Sequence, residues 1–172
     1  MTRCSRLLPL LLAGLAVPAH AQTSNVQTQA ESRIVDQFSL TGGNNLAFGA
    51  VLPPTAGSNT VTIDASSGGR ALAGGGNARL IGGGANRATY TVEGDGGQTF
   101  DIDVDPTVTL TRANGSETIE VTLTPSVPGD TLSGTAGTPG SANFGVGGSF
   151  QVTASTVPGS YSGTFTVTVD NN

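Results

Sequence analysis

Apolar and polar residues alternate with a period of two along most of the chain after residue 21, and no long stretch keeps a 3.6-residue apolar period. That alternation belongs to strands with one buried and one wet face. Ala88, Tyr90 and Val92 alternate with Arg87, Thr89 and Thr91; the Gly94-Asp95-Gly96-Gly97 turn follows; Phe100, Ile102 and Val104 then alternate with Asp101, Asp103 and Asp105. The pattern predicts a hairpin over residues 87–105 that Pro106 ends, because proline cannot donate to a ladder. A second hairpin is predicted around Asn114-Gly115, with Val108 and Leu110 before it and Ile119, Val121 and Leu123 after it. Asn-Gly accepts the positive φ of a tight turn. Asn114-Gly115-Ser116 also fits a glycosylation acceptor, but the turn accounts for it.

Further strands are expected at residues 46–51, 60–64, 78–81, 150–154 and 161–169. The Gly-rich stretches 68–76 and 82–86 read as loops bracketing a short strand. Residues 125–141 are the longest region without alternation and read as a surface loop, where binding functions tend to sit. Short strands at roughly 8–12-residue intervals predict an all-β chain. The expected architecture is an immunoglobulin-like antiparallel β-sandwich of about seven to nine strands, in one domain over residues 22–172.

Both ends carry their own pattern. Val26, Thr28, Ala30, Ser32 and Ile34, continuing to Asp36, Phe38 and Leu40, alternate with Asn25, Gln27, Gln29, Glu31 and Arg33. This run exceeds the 5–6 residues of an ordinary strand. Residues 22–33 therefore read as an extended N-terminal strand, either continuing into a tail or pairing outside the domain. At the other end Tyr161, Gly163, Phe165, Val167 and Val169 alternate with polar residues. A strand this regular is expected inside a sheet.

Residues 1–21 are expected to be a secretory signal peptide. Arg3 and Arg6 precede an apolar run from Leu7 to Val17, and Ala19-His20-Ala21 supplies the small residues of a cleavage site. The run is shorter than the roughly 20 residues of a spanning helix. The expected product is secreted, to the periplasm, cell surface or exterior, with no transmembrane segment after cleavage. Cys4, the single cysteine, and His20, the single histidine, fall within the leader, and the chain has no lysine. Beyond residue 21, twelve Asp and Glu face five Arg, a balance of −7. No basic stripe is present to displace counterions, which argues against a nucleic-acid partner.

Without His, Cys or Lys after the leader, the usual nucleophile–base pairs cannot be assembled and zinc loses its preferred ligands. The sequence is therefore not expected to be that of an enzyme, and no cofactor is expected. Asp101, Asp103 and Asp105 share one strand face and are a weak calcium candidate, with Glu93 and Asp95 across the turn as further oxygens. Pro106 and Arg112 stand where a calcium loop needs Gly and Glu. The alternative is a wet face whose charge discourages edge pairing. The eight aromatic residues sit mostly at inward positions, as core; Phe144, beside Gly145 and Gly147, is the least regular.

In order along the chain, the pieces resemble a bacterial secreted family catalogued as domain of unknown function 4402. They are Phe38-Ser39-Leu40 approaching Leu46-Ala47-Phe48-Gly49, Thr60-Val61-Thr62-Ile63-Asp64 with Gly68-Gly69-Arg70, Tyr90-Thr91-Val92, Leu132 with its loop, and the run from Tyr161 to Val169. The resemblance implies an all-β fold and a secreted location, and carries no catalytic residue. The closing strand also resembles those of chaperone–usher pilins and spore-coat-like surface domains. The pilin resemblance implies a domain lacking one strand, which a neighbour's N-terminal extension fills; residues 26–34 would be that extension. The chain differs from pilins in the small size of Thr28, Ala30 and Ser32 and in ending Asp170-Asn171-Asn172 without an aromatic residue.

The expected function is that of a non-enzymatic structural or surface protein pairing strands with copies of itself or with other surface proteins. The alternative is a small extracellular binding module that presents residues 125–141 to calcium or carbohydrate.

Overall fold

Threonine alternates with apolar residues through several segments, where Val61, Val92, Val108 and Val121 are buried while the neighbouring threonines stay half-buried or exposed. A computed structural model of the chain describes Gln29, Ser32 and residues 38–172. The leader, and all of the alternating segment before Phe38 except those two residues, lie outside the described residues. The chain divides into two compact units, Met1–Ser32 and Arg33–Asn172, and every described strand belongs to the second.

The described residues contain thirteen strands: β1 (Ser39–Gly42), β2 (Ala47–Leu52), β3 (Ser58–Ile63), β4 (Arg70–Gly74), β5 (Arg79–Asn86), β6 (Ala88–Asp95), β7 (Thr99–Val104), β8 (Thr107–Arg112), β9 (Thr118–Pro125), β10 (Gly129–Thr131), β11 (Pro139–Thr153), β12 (Tyr161–Ser162) and β13 (Val167–Asn171). Among them no helix is long and apolar enough to cross a membrane. The chain is all-β, as expected, and every ladder is antiparallel. The strand count exceeds seven to nine because several elements, such as β10 and β12, are only three and two residues long.

The largest sheet runs β1-β6-β11-β9-β8-β12, with β3 and β4 joined to the far half of β11; β10-β7-β13 forms a second sheet, and β2-β5 a third. The main core lies between the first two. Ala88, Val92, Val108, Val121, Leu123 and Val146 from the large sheet meet Phe100 and Ile102 from β7. Val61, Ala78 and Val152 form a smaller cluster, against which Val51, Leu72 and Leu80 pack.

Four expectations are corrected. First, residues 87–105 are not a hairpin: β6 pairs with β1 and β11, whereas β7 pairs with β10 and β13. The Gly94–Gly97 turn carries the chain across the core, so the two apolar faces oppose one another rather than lie side by side. Second, the Gly-rich stretches are largely strand, as β4 and β5, because their backbones pair with β3 and β2. Third, residues 125–141 contain β10 and the start of β11, and Leu132 is buried there. Fourth, the closing strand is split: Tyr161–Ser162 pairs with β8 at the edge of the large sheet, and Val167–Asn171 pairs with β7 at the edge of the second. It switches sheets instead of running inside one.

The Asn114 hairpin stands as expected. β8 and β9 pair with Val108 opposite Val121 and Leu110 opposite Ile119, and Asn114 has φ 59°.

Candidate functional site

β11 is fifteen residues long and is shared by neighbours on both sides. Its first half pairs with β6, and its second half pairs with β3 from Gly148 to Thr153. On the other side it pairs with β9 only from Val146 to Ser149. Past that point β9 continues with β8 alone, from Thr122 to Thr118. Among the described strands, none therefore pairs with Thr118–Val121 on the β11 side, or with Phe150–Thr153 on the β9 side.

An apolar groove of about 880 Å³ opens where these strands part. Val108, Val121 and Val152 are buried at its base. Phe48, Tyr90, Leu110, Ile119, Phe150 and Phe165 line it while only half-buried. Phe48 meets Phe150 edge-to-face at 5.0 Å, and Tyr90 stacks on Phe144 at 5.1 Å, so these rings are held in place. Among the described residues no charged side chain lines the groove. Burial raises the Tyr90 phenol above its ordinary value. Residues 156–164 form one rim, tied down by Tyr161 Oη donating to Val157 O at 2.7 Å and by Ala113 N donating to Ser160 O at 2.8 Å.

Chemically, the groove offers apolar surface and two open strand edges. An extended peptide fits both: its main chain continues a ladder while alternate side chains enter the groove. Among the described residues the lining carries no carboxylate, imidazole, thiol or amine that could move a proton.

The aspartates expected from the sequence lie elsewhere. Asp101 and Asp103 are on the exposed face of β7, with Asp101 opposite Asp170 of β13. Asp105 follows the strand and accepts a hydrogen bond from Thr166 N at 2.6 Å. Among the described residues no group of three or more Asp, Glu, His or Cys is placed to hold a metal ion. Successive steps of an extended strand hold the carboxylates too far apart to converge. Glu93 is exposed on β6, whereas Asp95 is buried and accepts from Gly137 N at 2.7 Å, which ties the β6 end to the 133–138 turn. Phe144 is core, 4% exposed.

Alternation placed Tyr90, Val108, Leu110, Ile119 and Val121 of the groove lining on the apolar side of their strands. It did not show a gap between β9 and β11, because that gap depends on which strands pair and where the ladders stop.

The fold and the groove define an all-β antiparallel sandwich with an open apolar slot along one sheet. The family model described as Domain of unknown function (DUF4402) matches residues 38–171, and the chain belongs to that family. The match covers every strand from β1 to β13. Neither the curated proteins nor the solved structures contain a significant match to the chain.

Proposed function

We propose that this chain is a secreted, non-enzymatic structural or surface protein that joins other copies of itself by strand pairing. The observation that carries this reading is the parting of β9 and β11 beside the apolar groove. A strand laid there would satisfy open edges and cover half-buried rings at once, which is how strand addition gains affinity. Secretion is supported by the leader-like residues 1–21.

The occupant we assign is the segment 26–34 of a second copy. Its inward positions would carry Thr28, Ala30 and Ser32, small enough for a groove already occupied by phenylalanine rings, and its polar positions would carry Gln27, Gln29, Glu31 and Arg33. Chain length keeps the middle of this segment from lying beside Phe150 of its own chain, which favours another copy. Phe38 sits beside Gly94, which lies opposite Gly140. Phe150 is ten residues further along β11, about 33 Å of strand. Ala30 precedes Phe38 by eight residues, a reach of at most about 29 Å. Donation from copy to copy is head-to-tail, which builds filaments unless the rotation closes a ring.

Light scattering tests this on residues 22–172 and 33–172. The longer chain is expected to form concentration-dependent multimers and the shorter to be monomeric. Monomers from both would overturn the reading, as would multimers that survive the deletion.

A further inference from the structure

A second recess, of about 420 Å³, opens on the outer face of the large sheet where β6 and β11 run side by side. Thr89, Thr91 and Asn143 line it and alternate with core residues, so they face away from the apolar groove. Ser66, Arg87 and Ser126 add to its polar wall, and among the described residues the lining contains no carboxylate.

The hydrogen bonds already made inside the protein set the polarity of this recess. Thr89 Oγ1 accepts from Asn44 N at 2.9 Å, and Ser126 Oγ accepts from Gly145 N at 3.0 Å. Each hydroxyl therefore keeps its own proton to donate. Asn143 Oδ1 accepts from Thr91 Oγ1 at 2.7 Å, which leaves the amide NH2. Arg87 uses Nη1 for the carbonyl oxygens of Ala65, at 2.7 Å, and Ser66. Its Nε and Nη2 have no acceptor among the described residues.

Four donor groups thus converge on one recess without an acid among them. A ligand matched to it brings acceptors and a negative charge. The guanidinium edge suits a planar carboxylate, while the hydroxyls and amide suit the oxygens of a sugar ring. The volume falls within the roughly 300–1,000 Å³ of small-molecule sites and exceeds what a bare inorganic anion fills. Asp64, the acid whose charge acts on Arg87, already accepts from Ser67 N at 2.6 Å, Ser67 Oγ at 2.7 Å and Ser66 N at 3.1 Å. Glu93 lies two positions beyond Thr91 on the same strand face.

We propose that Arg87, Thr89, Ser126 and Asn143 form a binding site for a hexuronate, a sugar ring bearing a carboxylate. The site is independent of strand pairing, since it lies on the opposite face of the sheet and needs no second copy.

Amide chemical shifts of the 33–172 chain, which holds every described strand and is expected to be monomeric, test it, titrated separately with glucuronate, glucose, acetate and sulfate. Glucuronate is expected to move the amides of Thr89, Thr91, Ser126 and Asn143, and to bind about tenfold or more tightly than the other three. Asn143→Asp keeps the acceptor for Thr91 but replaces the NH2 with a carboxylate. It is expected to weaken glucuronate by about tenfold or more while leaving the melting temperature in place. Unmoved amides would overturn the proposal. So would acetate, sulfate or glucose binding as tightly as glucuronate, or an Asn143→Asp protein that binds like the original.

Discussion

Ser149 lies opposite Thr122, and there the ladder between β11 and β9 ends. The next residue, Phe150, stays opposite Val61 of β3, while Val121 stays opposite Val108 of β8. One sheet thus becomes two diverging pairs, and the apolar residues between them are covered on one side only. This separates two kinds of apolar residue that look alike in sequence. Phe100, 1% exposed and edge-to-face with Phe38 at 5.7 Å, belongs to the closed core. Phe100→Ala is expected to cost about 3–5 kcal/mol in urea unfolding. Ile119, half-buried in the groove, has less to lose, and Ile119→Ala should cost roughly 1 kcal/mol in the 33–172 chain. Its larger effect is expected on multimer formation by the 22–172 chain. Equal losses of stability at the two positions would mean that the groove is ordinary closed core.

Glycines in β11 allow the turn after β3 to lie against it. A Cβ at Gly147 would run into the Ile63 carbonyl oxygen and come within 2.6 Å of Ala65 N, both backbone atoms that cannot swing aside. Gly147→Ala is therefore expected to destabilise by about 1–3 kcal/mol or more. Gly82, in β5, has nothing within 4 Å of the same position. Gly82→Ala should be neutral or stabilise by up to about 1 kcal/mol, because it restricts the unfolded chain. Thermal melts of the two variants check the contrast, and similar losses in both would remove the steric explanation.

Arg70 holds the small β2-β5 sheet to the β3-β4 hairpin. Its guanidinium donates to the carbonyls of Phe48 at 2.9 Å, Ala50 at 3.3 Å and Ile81 at 3.0 Å. The bulge at Gly49, φ 66°, leaves room for it, since a Cβ there would come within 2.5 Å of Arg70 Nη1. Arg70→Met keeps much of the apolar stem and removes all three bonds. The expected loss is about 1–3 kcal/mol, with amide exchange accelerating first in β2 and β5. Arg70→Lys should restore only part of this, because a compact ammonium lacks the planar fork that reaches three carbonyls. Uniform acceleration across all strands would show that Arg70 does not act on this sheet in particular.

Alternation made the inward residues of β3, β6, β7, β8 and β9 legible, and Asn114-Gly115 marked its turn, because these signals are local. The partner of each strand was not legible. The Gly94–Gly97 turn looks the same whether it closes a hairpin or crosses between sheets, and only the pairing of β7 with β10 and β13 decides. The first half of β11 was hidden by its glycines, although Ala142, Phe144 and Val146 keep the period of two; close backbone packing selected glycine there in place of strand-forming side chains. The closing strand reads as continuous in sequence because its alternation is continuous. Its division between β8 and β7 follows from the distance between two sheets, which no local pattern encodes. The donor-lined recess brings β6, β11 and the residue after β9 together, so its residues are scattered across the sequence.

Acid should weaken this fold through two carboxyl groups in particular. Glu117 accepts from Arg112 Nε at 2.7 Å and from Nη2 at 3.1 Å, and this pairing holds its carboxyl below the ordinary value. Asp64 is lowered by the backbone N–H of Ser67, then by the Ser67 hydroxyl. A carboxyl whose folded value is depressed releases its proton more readily in the folded state. Its contribution is therefore complete above the unfolded value, near 3.8 for Asp64 and 4.5 for Glu117, and is lost as pH falls through the folded value. Urea midpoints are expected to hold steady from about pH 7 to about pH 5.5 and to fall below about pH 4.5. Asp64→Asn with Glu117→Gln should start lower at neutral pH and fall less steeply in acid. Both groups are solvent-exposed, so the Glu117 share should shrink with added salt, whereas the Asp64 share, built on short hydrogen bonds within one turn, should persist. If the double variant instead tracks the original protein in parallel through the acid range, the acid sensitivity does not arise from these two carboxyl groups.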